Sequence, residues 1–219
     1  ITNPEKLLEN LNELHPSDIA HSLKKIEKES SEDFFFILKQ IPEDILGEVI
    51  LELPDYLRED SYDELSSEKL TEIVYELESD DATDIIQELE EHNEEKAKEV
   101  FNGLEEEDKQ QIEWLSRYEE DEAGSYMQTE LFSANLNETI KESLDRLTLG
   151  KEEEELINIH QVYIVDNHKK LIASILLEDL ILIDFKKTYQ EVLDSHDENR
   201  FKANIVHDKE HIDDVAKKF

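Results

Sequence analysis

The sequence predicts a multi-domain chain of α and α/β class. An all-α helical-repeat solenoid, right- or left-wound, precedes a β-α-β-β-α unit and the start of a second copy of that unit. Three observations carry this reading. An apolar residue closes one short amphipathic run after another, up to about residue 117. The pattern then changes to short apolar runs separated by polar turns. Turn-makers are scarce: there are 4 glycines, and all 4 prolines (Pro4, Pro16, Pro42 and Pro54) fall in the first quarter.

The closing residues of the repeat are Leu14, Ile26, Ile41, Leu53, Leu65, Leu77, Leu89 and Leu104, at spacings of 12, 15, 12, 12, 12, 12 and 15. One short helix cannot bury its apolar stripe alone, so neighbouring helices must stack. The turns carry cap chemistry at Pro42-Glu43-Asp44, Ser66-Ser67-Glu68, Ser79-Asp80-Asp81 and Asn93-Glu94-Glu95. Phe34, Phe35, Phe36 and Trp114 read as core and inter-helix packing.

Beyond Met127, Leu131 to Leu136 reads as a strand, and Asn137-Glu138-Thr139 caps a helix to about Leu147. A charged loop at Glu152 to Glu155 leads to a buried strand, Val162 to Asp166. A turn at Asn167-His168 joins it to a second strand, Leu171 to Leu176, and Asp179 to Ile183 begins another helix. Lys202 to Val206 and Ile212 to Phe219 read as the start of a second copy. The expected domains are residues 1–124, 125–193 and the incomplete 194–219.

Lys plus Arg is 23 and Asp plus Glu is 59, so the formal charge is −36. That imbalance opposes nucleic acid and anionic membranes as partners and favours cations. No cysteine is present, which excludes disulfides and thiolate chemistry. No apolar run approaches the ~20 residues of a spanning helix. Because Ile1 is not an initiator methionine, the expectation is a fragment whose membrane part lies outside it. Four glycines leave no phosphate cradle, and the compact β-α-β-β-α order leaves no room for a large catalytic cleft. His207-Asp-Lys-Glu-His211 has a zinc-peptidase spacing, but it opens a short helix with no third ligand. The expectation is that the chain is not an enzyme.

The segment Arg117-Tyr-Glu-Glu-Asp-Glu-Ala-Gly-Ser-Tyr-Met127 resembles the junction between the helical N domain and the first CBS domain in the MgtE magnesium channel family. The solenoid, the strand Val162 to Asp166 and Glu178-Asp179-Leu180 after the hairpin fit the same family. The resemblance implies a homodimer on the cytoplasmic face of the cell membrane, attached to its own transmembrane pore domain. It implies Mg2+ as the ligand: ions bridge the acidic N domain and the CBS domains and close the pore, and low Mg2+ opens it. Leu77-Glu-Ser-Asp-Asp-Ala-Thr-Asp84 matches the family's bridging segment, which implies Asp80 and Asp84 as metal ligands with Asp81 beside them. The match also implies a carbonyl ligand at Ser125 and a further acidic ligand at Glu48. The remaining sensor carboxylates are implied beyond Phe219, so this chain holds half of each bridging site.

Asp80 and Asp84, four apart on a helix, share one face with Cβ atoms about 5–6 Å apart. Mg2+ is a hard cation that takes oxygen ligands and commonly uses one or two carboxylates per surface. Acids in a first turn also complement the helix dipole, which is the competing structural role for Asp80 and Asp81. Two other functions stay open: a protein-binding helical-repeat scaffold, and an adenosine-nucleotide sensor of CBS type. Against the nucleotide stand Gln161 and Glu178, where nucleotide-binding relatives carry an aromatic and a basic residue; Asp179 is the residue that could serve a ribose.

Overall fold

The computed structural model describes residues 3–152, 159–197 and 199–218. Two compact units are present: residues 1–127 with 211–217, and residues 128–210 with 218–219.

The first unit is built from α1 (Pro4–Leu8), a 3-10 turn at Leu11–Glu13, α2 (Pro16–Glu27), α3 (Ser31–Leu38), α4 (Glu43–Leu51) and α5 (Asp55–Glu64). It continues with α6 (Ser67–Tyr75), α7 (Ser79–His92), α8 (Glu94–Gly103), α9 (Glu106–Leu115) and a 3-10 turn at Ala123–Tyr126. Helices two apart in sequence stack on each other: α2, α4, α6 and α8 in one row, α3, α5, α7 and α9 in the other. The repeat is therefore two rows of alternating helices. The closing residues lie where each helix gives way to the next, and Ile26, Ile41, Leu53, Leu65, Leu89 and Leu104 are buried. They join the apolar stripes in one continuous core.

The cap chemistry is only partly as expected. Ser66 and Asn93 accept from the N–H groups of Lys69 and Lys96 at 3.2 and 3.1 Å. Ser79 is instead the first residue inside α7, and Glu78 stands at the cap position without a side-chain cap bond. The Ser79 carbonyl accepts the Thr83 hydroxyl at 2.7 Å. Lys96 Nζ reaches the carbonyls of Tyr62 and Leu65, both at 2.5 Å, and closes the C-terminus of α5. Phe34 is buried, but Phe36 and Trp114 are 59 % and 41 % exposed, so they lie outside the core that their apolarity suggested. Trp114 instead meets Tyr118 edge to face, with ring centroids 6.0 Å apart.

Two glycines permit close approach. A Cβ on Gly47 in α4 would lie 2.7 Å from Leu77, so the α6–α7 turn seats directly on α4. A Cβ on Gly124 would lie 2.4 Å from the Tyr118 ring, which fixes the fold of the junction segment.

The second unit carries β1 (Ser133–Asn135), α10 (Ile140–Glu152), β2 (Gln161–Val165), β3 (Leu171–Leu176), α11 (Leu177–Leu180) and α12 (Tyr189–Asp194). The sheet order is β1-β2-β3, with β1 parallel and β3 antiparallel to β2. The β1-α10-β2 crossover joins the parallel pair, and the hairpin turns through Lys169, whose φ is 61°. Asp166 Oδ1 supports that turn by accepting from the N–H groups of His168 and Lys170 at 2.8 and 2.9 Å. Thr139 and Glu142 bond reciprocally at the start of α10, and Thr188 and Glu191 do the same for α12. Helix α10 runs past Leu147 and includes Glu152 of the expected loop; residues 153–155 of that loop lie outside the described residues. The helix expected from Asp179 is divided into the short α11 and then α12. Lys202 to Val206 is irregular, with no ladder partner to make it a strand. Residues Ile212–Ala216 form α13.

Each unit has its own buried cluster, with Ile73 in the first and Ile164 in the second, both fully buried. Ile73→Ala and Ile164→Ala should each cost about 2–5 kcal/mol. In scanning calorimetry each should lower a different unfolding transition. A common shift of all transitions by either variant would overturn this independence.

Candidate functional site

The carboxylates singled out by the sequence gather around the N-terminal half of α7. This helix buries Ala82, Ile85, Ile86 and Leu89 along one stripe, which leaves Asp80, Asp81, Asp84 and Glu88 toward its polar side. Asp80 and Asp81 are half-buried in the first turn, and Asp84 is exposed one turn on. Glu48 is exposed on α4. The close seat of Leu77 on Gly47 brings α4 beside the start of α7.

The electrostatics record this crowding. Burial, then the charges of Asp80, Asp84, Glu78 and Glu48, push the Asp81 carboxyl up to about 6. Burial and the charge of Glu88, followed by Asp80, push Asp84 up to about 6, against the Arg58 guanidinium, with Glu120 adding to the rise. Asp84 is exposed as a residue, yet neighbouring protein strips part of the water from its carboxyl. Helix α5 supplies the balancing groups. Arg58 Nη1 lies 3.0 Å from Glu88 Oε1 and Nη2 lies 2.7 Å from Asp55. The buried Tyr62 hydroxyl donates to Glu88 at 2.8 Å, and burial followed by the Glu88 charge drives its phenol pKa upward.

Ser125 lies in the junction turn at Ala123–Tyr126, half-buried. Its hydroxyl donates to the carbonyls of Glu122 and Glu120 at 2.9 and 3.3 Å, and its N–H donates to Glu122 at 3.1 Å. The field of Glu120 at Asp84 places this junction within electrostatic reach of α7. Asp80, Asp81, Asp84 and Glu48 thus repel one another, and Ser125 reaches this field only through its bond to the carbonyl of Glu120. Sequence reasoning missed Glu78, Glu88, Glu120, Arg58 and Tyr62. Glu88 was legible as the next i+4 position after Asp84. Arg58, Tyr62 and Glu120 come from other elements and left no local signal.

Hard carboxylate oxygens under mutual repulsion suit a hard divalent cation. Among the described residues, no group of three or more His, Asp or Glu side chains is close enough to enclose a metal by itself. An ion held here would need waters and further oxygens to complete its coordination. His207 and His211 make no such group either; His211 caps α13 and pairs with Asp121 at 3.1 Å.

The family model of the MgtE intracellular N domain matches residues 14–121. Those residues belong to the MgtE N-domain family. The crystal structure of the cytosolic domain of the Mg2+ channel MgtE in complex with ATP is similar at 25 % identity and a TM-score of 0.81, covering 99 % of this chain and 83 % of that one. The crystal structure of the soluble part of a magnesium transporter shares the fold at 19 % identity and a TM-score of 0.73, covering 98 % and 84 % of the two chains. No curated protein sequence matches the chain. The MgtE likeness extends over the helical rows and the CBS-like unit, as the junction motif implied.

Raised carboxyl pKa values set a pH dependence with a definite sign. Asp81 and Asp84 rise from 3.8 to about 6 in the folded chain, so between those values the folded state holds more protons than the unfolded one. Without metal, the contribution of these groups to stability falls as pH rises from about 4 to about 6, and the penalty is complete above both values. Asp81→Asn and Asp84→Asn should each raise the melting temperature at pH 7 and flatten its slope across this window. Thermal melts in chelator check this; a lower melting temperature for both variants at pH 7 would contradict it.

Proposed function

We propose that this chain is the cytosolic Mg2+-sensing regulatory region of an MgtE-type magnesium channel or transporter. The observation that carries the reading is the carboxylate crowding on α7, in a chain whose N-domain family is that of MgtE. Asp80 and Asp84 hold the ion in this reading, Asp81 and Glu48 add negative field, and Ser125 offers its carbonyl. Bound Mg2+ supplies two positive charges that offset the repulsion among these groups. The remaining ligands come from water and from oxygens outside the helical unit, which keeps the affinity low enough to sense the ion rather than sequester it.

The gating step is a population shift. Carboxylates that complete their ligand sphere only in the closed arrangement bind Mg2+ better there, so high Mg2+ favours a closed pore. At low Mg2+ the like charges separate and the pore opens. This reading places the chain in a homodimer on the cytoplasmic side, joined to its own pore domain. It assigns no catalytic step. No helix among the described residues is long and apolar enough to cross a membrane. Mn2+, Co2+ and Ca2+ share the oxygen chemistry and are the competing ions.

A nucleotide role is the second reading, since one similar structure was solved with ATP. In this chain Glu178 is exposed and Asp179 half-buried at the start of α11. A carboxylate at Glu178 would repel a phosphate. Calorimetric titration with ATP, ADP and AMP separates this reading from the Mg2+ one. A basic protein partner that binds without regard to divalent ions would favour the scaffold reading.

Millimolar Mg2+ should protect the intact protein against limited proteolysis relative to chelator. Asp80→Ala combined with Asp84→Ala should remove that protection while leaving the far-ultraviolet circular dichroism unchanged. Equal protection of the double variant would sink the assignment.

A further inference from the structure

Residues 211–217 belong to the helical unit, although residues 128–210 form the other one. Their helix, α13, has five residues and no buried residue of its own. So short a helix does not persist alone in water, because nucleation outweighs the few bonds it makes. Its order has to come from what holds its first turn.

Asp121 and Glu122 of the junction provide that hold. The Ile212 N–H donates to the Asp121 carbonyl at 2.8 Å, and His211 and Glu122 form an antiparallel bridge. His211 Nε2 lies 3.1 Å from the Asp121 carboxylate. The other ring nitrogen, Nδ1, accepts the Asp213 N–H at 3.2 Å and so caps α13. The Asp213 carboxylate lies 4.0 Å from that same Nδ1. Only the neutral imidazole with its proton on Nε2 makes both bonds: Nε2–H donates to Asp121, and the bare Nδ1 accepts. One ring therefore starts the helix and ties it to the junction.

We propose that residues 211–217 are a clasp on the junction segment 121–126, with His211 as its positioning residue. The clasp gives residues 128–210 two chain connections to the helical unit instead of one. It also steadies Glu122, whose carbonyl accepts both the N–H and the hydroxyl of Ser125 at 3.1 and 2.9 Å. The clasp itself needs no metal. Its influence on an ion through Ser125 rests on the Mg2+-sensing reading.

Hydrogen exchange on the whole chain in chelator tests the clasp alone. The Ile212 amide should be protected, and His211→Ala should speed its exchange about tenfold, with faster exchange also at 122–127 and none added in α7. Asp121→Ala should do the same. Asp121→Asn should keep most of the protection, because an amide oxygen still accepts from Nε2–H. Exchange of Ile212 at the free-peptide rate in the parent chain, or no change in both alanine variants, would overturn the clasp. Mg2+ titration of the proteolytic protection then addresses Ser125 separately. A midpoint raised several-fold in His211→Ala supports the link, and an unmoved midpoint with a verified clasp removes the link alone.

Discussion

Repulsion among carboxylates on and around α7 is the constraint on which the functional reading depends. The helical rows bury their apolar stripes well, yet they bring Glu48, Glu78, Asp80, Asp81, Asp84, Glu88 and Glu120 into one field with Arg58 as the opposing charge on Asp84. Here the packing of Leu77 on Gly47 draws α4 toward α7 and works against separation. A positive charge placed among these groups would lower that repulsion.

The two sides of α7 explain how the chain tolerates this. Its apolar side, with Ile85 and Leu89 fully buried, anchors the helix in the continuous core. On the polar side, Glu88 is satisfied by Arg58 and by the buried Tyr62 hydroxyl. The last turn of α7 closes with His92 Nε2 lying 3.0 Å from Asp63. Asp80 and Asp81 lie in the first turn, where the helix dipole offsets part of the cost of their repulsion.

The junction beyond α9 is the second element on which the functional reading depends. Tyr118 lies against Gly124 so closely that a Cβ there would have to displace its ring, and Ser125 in the same turn donates to the carbonyls of Glu120 and Glu122. A short motif thereby connects the electrostatics of α7 to the segment leading into the CBS-like unit. The chain is similar to the MgtE cytosolic-domain structure over nearly its whole length, the junction included.

The local features were legible in the residues themselves. The 12- and 15-residue spacing set the helices of the repeat, short apolar runs between polar turns marked β2 and β3, and the acidic balance favoured cations over anionic partners while fitting a solvated surface equally. Asp80, Asp81 and Asp84 were readable because Leu77 to Asp84 matches the bridging segment of the MgtE family; spacing adds only that Asp80 and Asp84 share one face of a helix. Their crowding by Glu48 and Glu120, the opposing charge of Arg58, and the exposure of Phe36 and Trp114 were not. Nor was the return of residues 211–217 to Asp121 and Glu122. These depend on which helices stack and how closely, and stacking joins residues far apart in sequence. Periodicity specifies which face of a helix is apolar; only the packed tertiary structure decides which neighbour covers that face and which charges are left side by side.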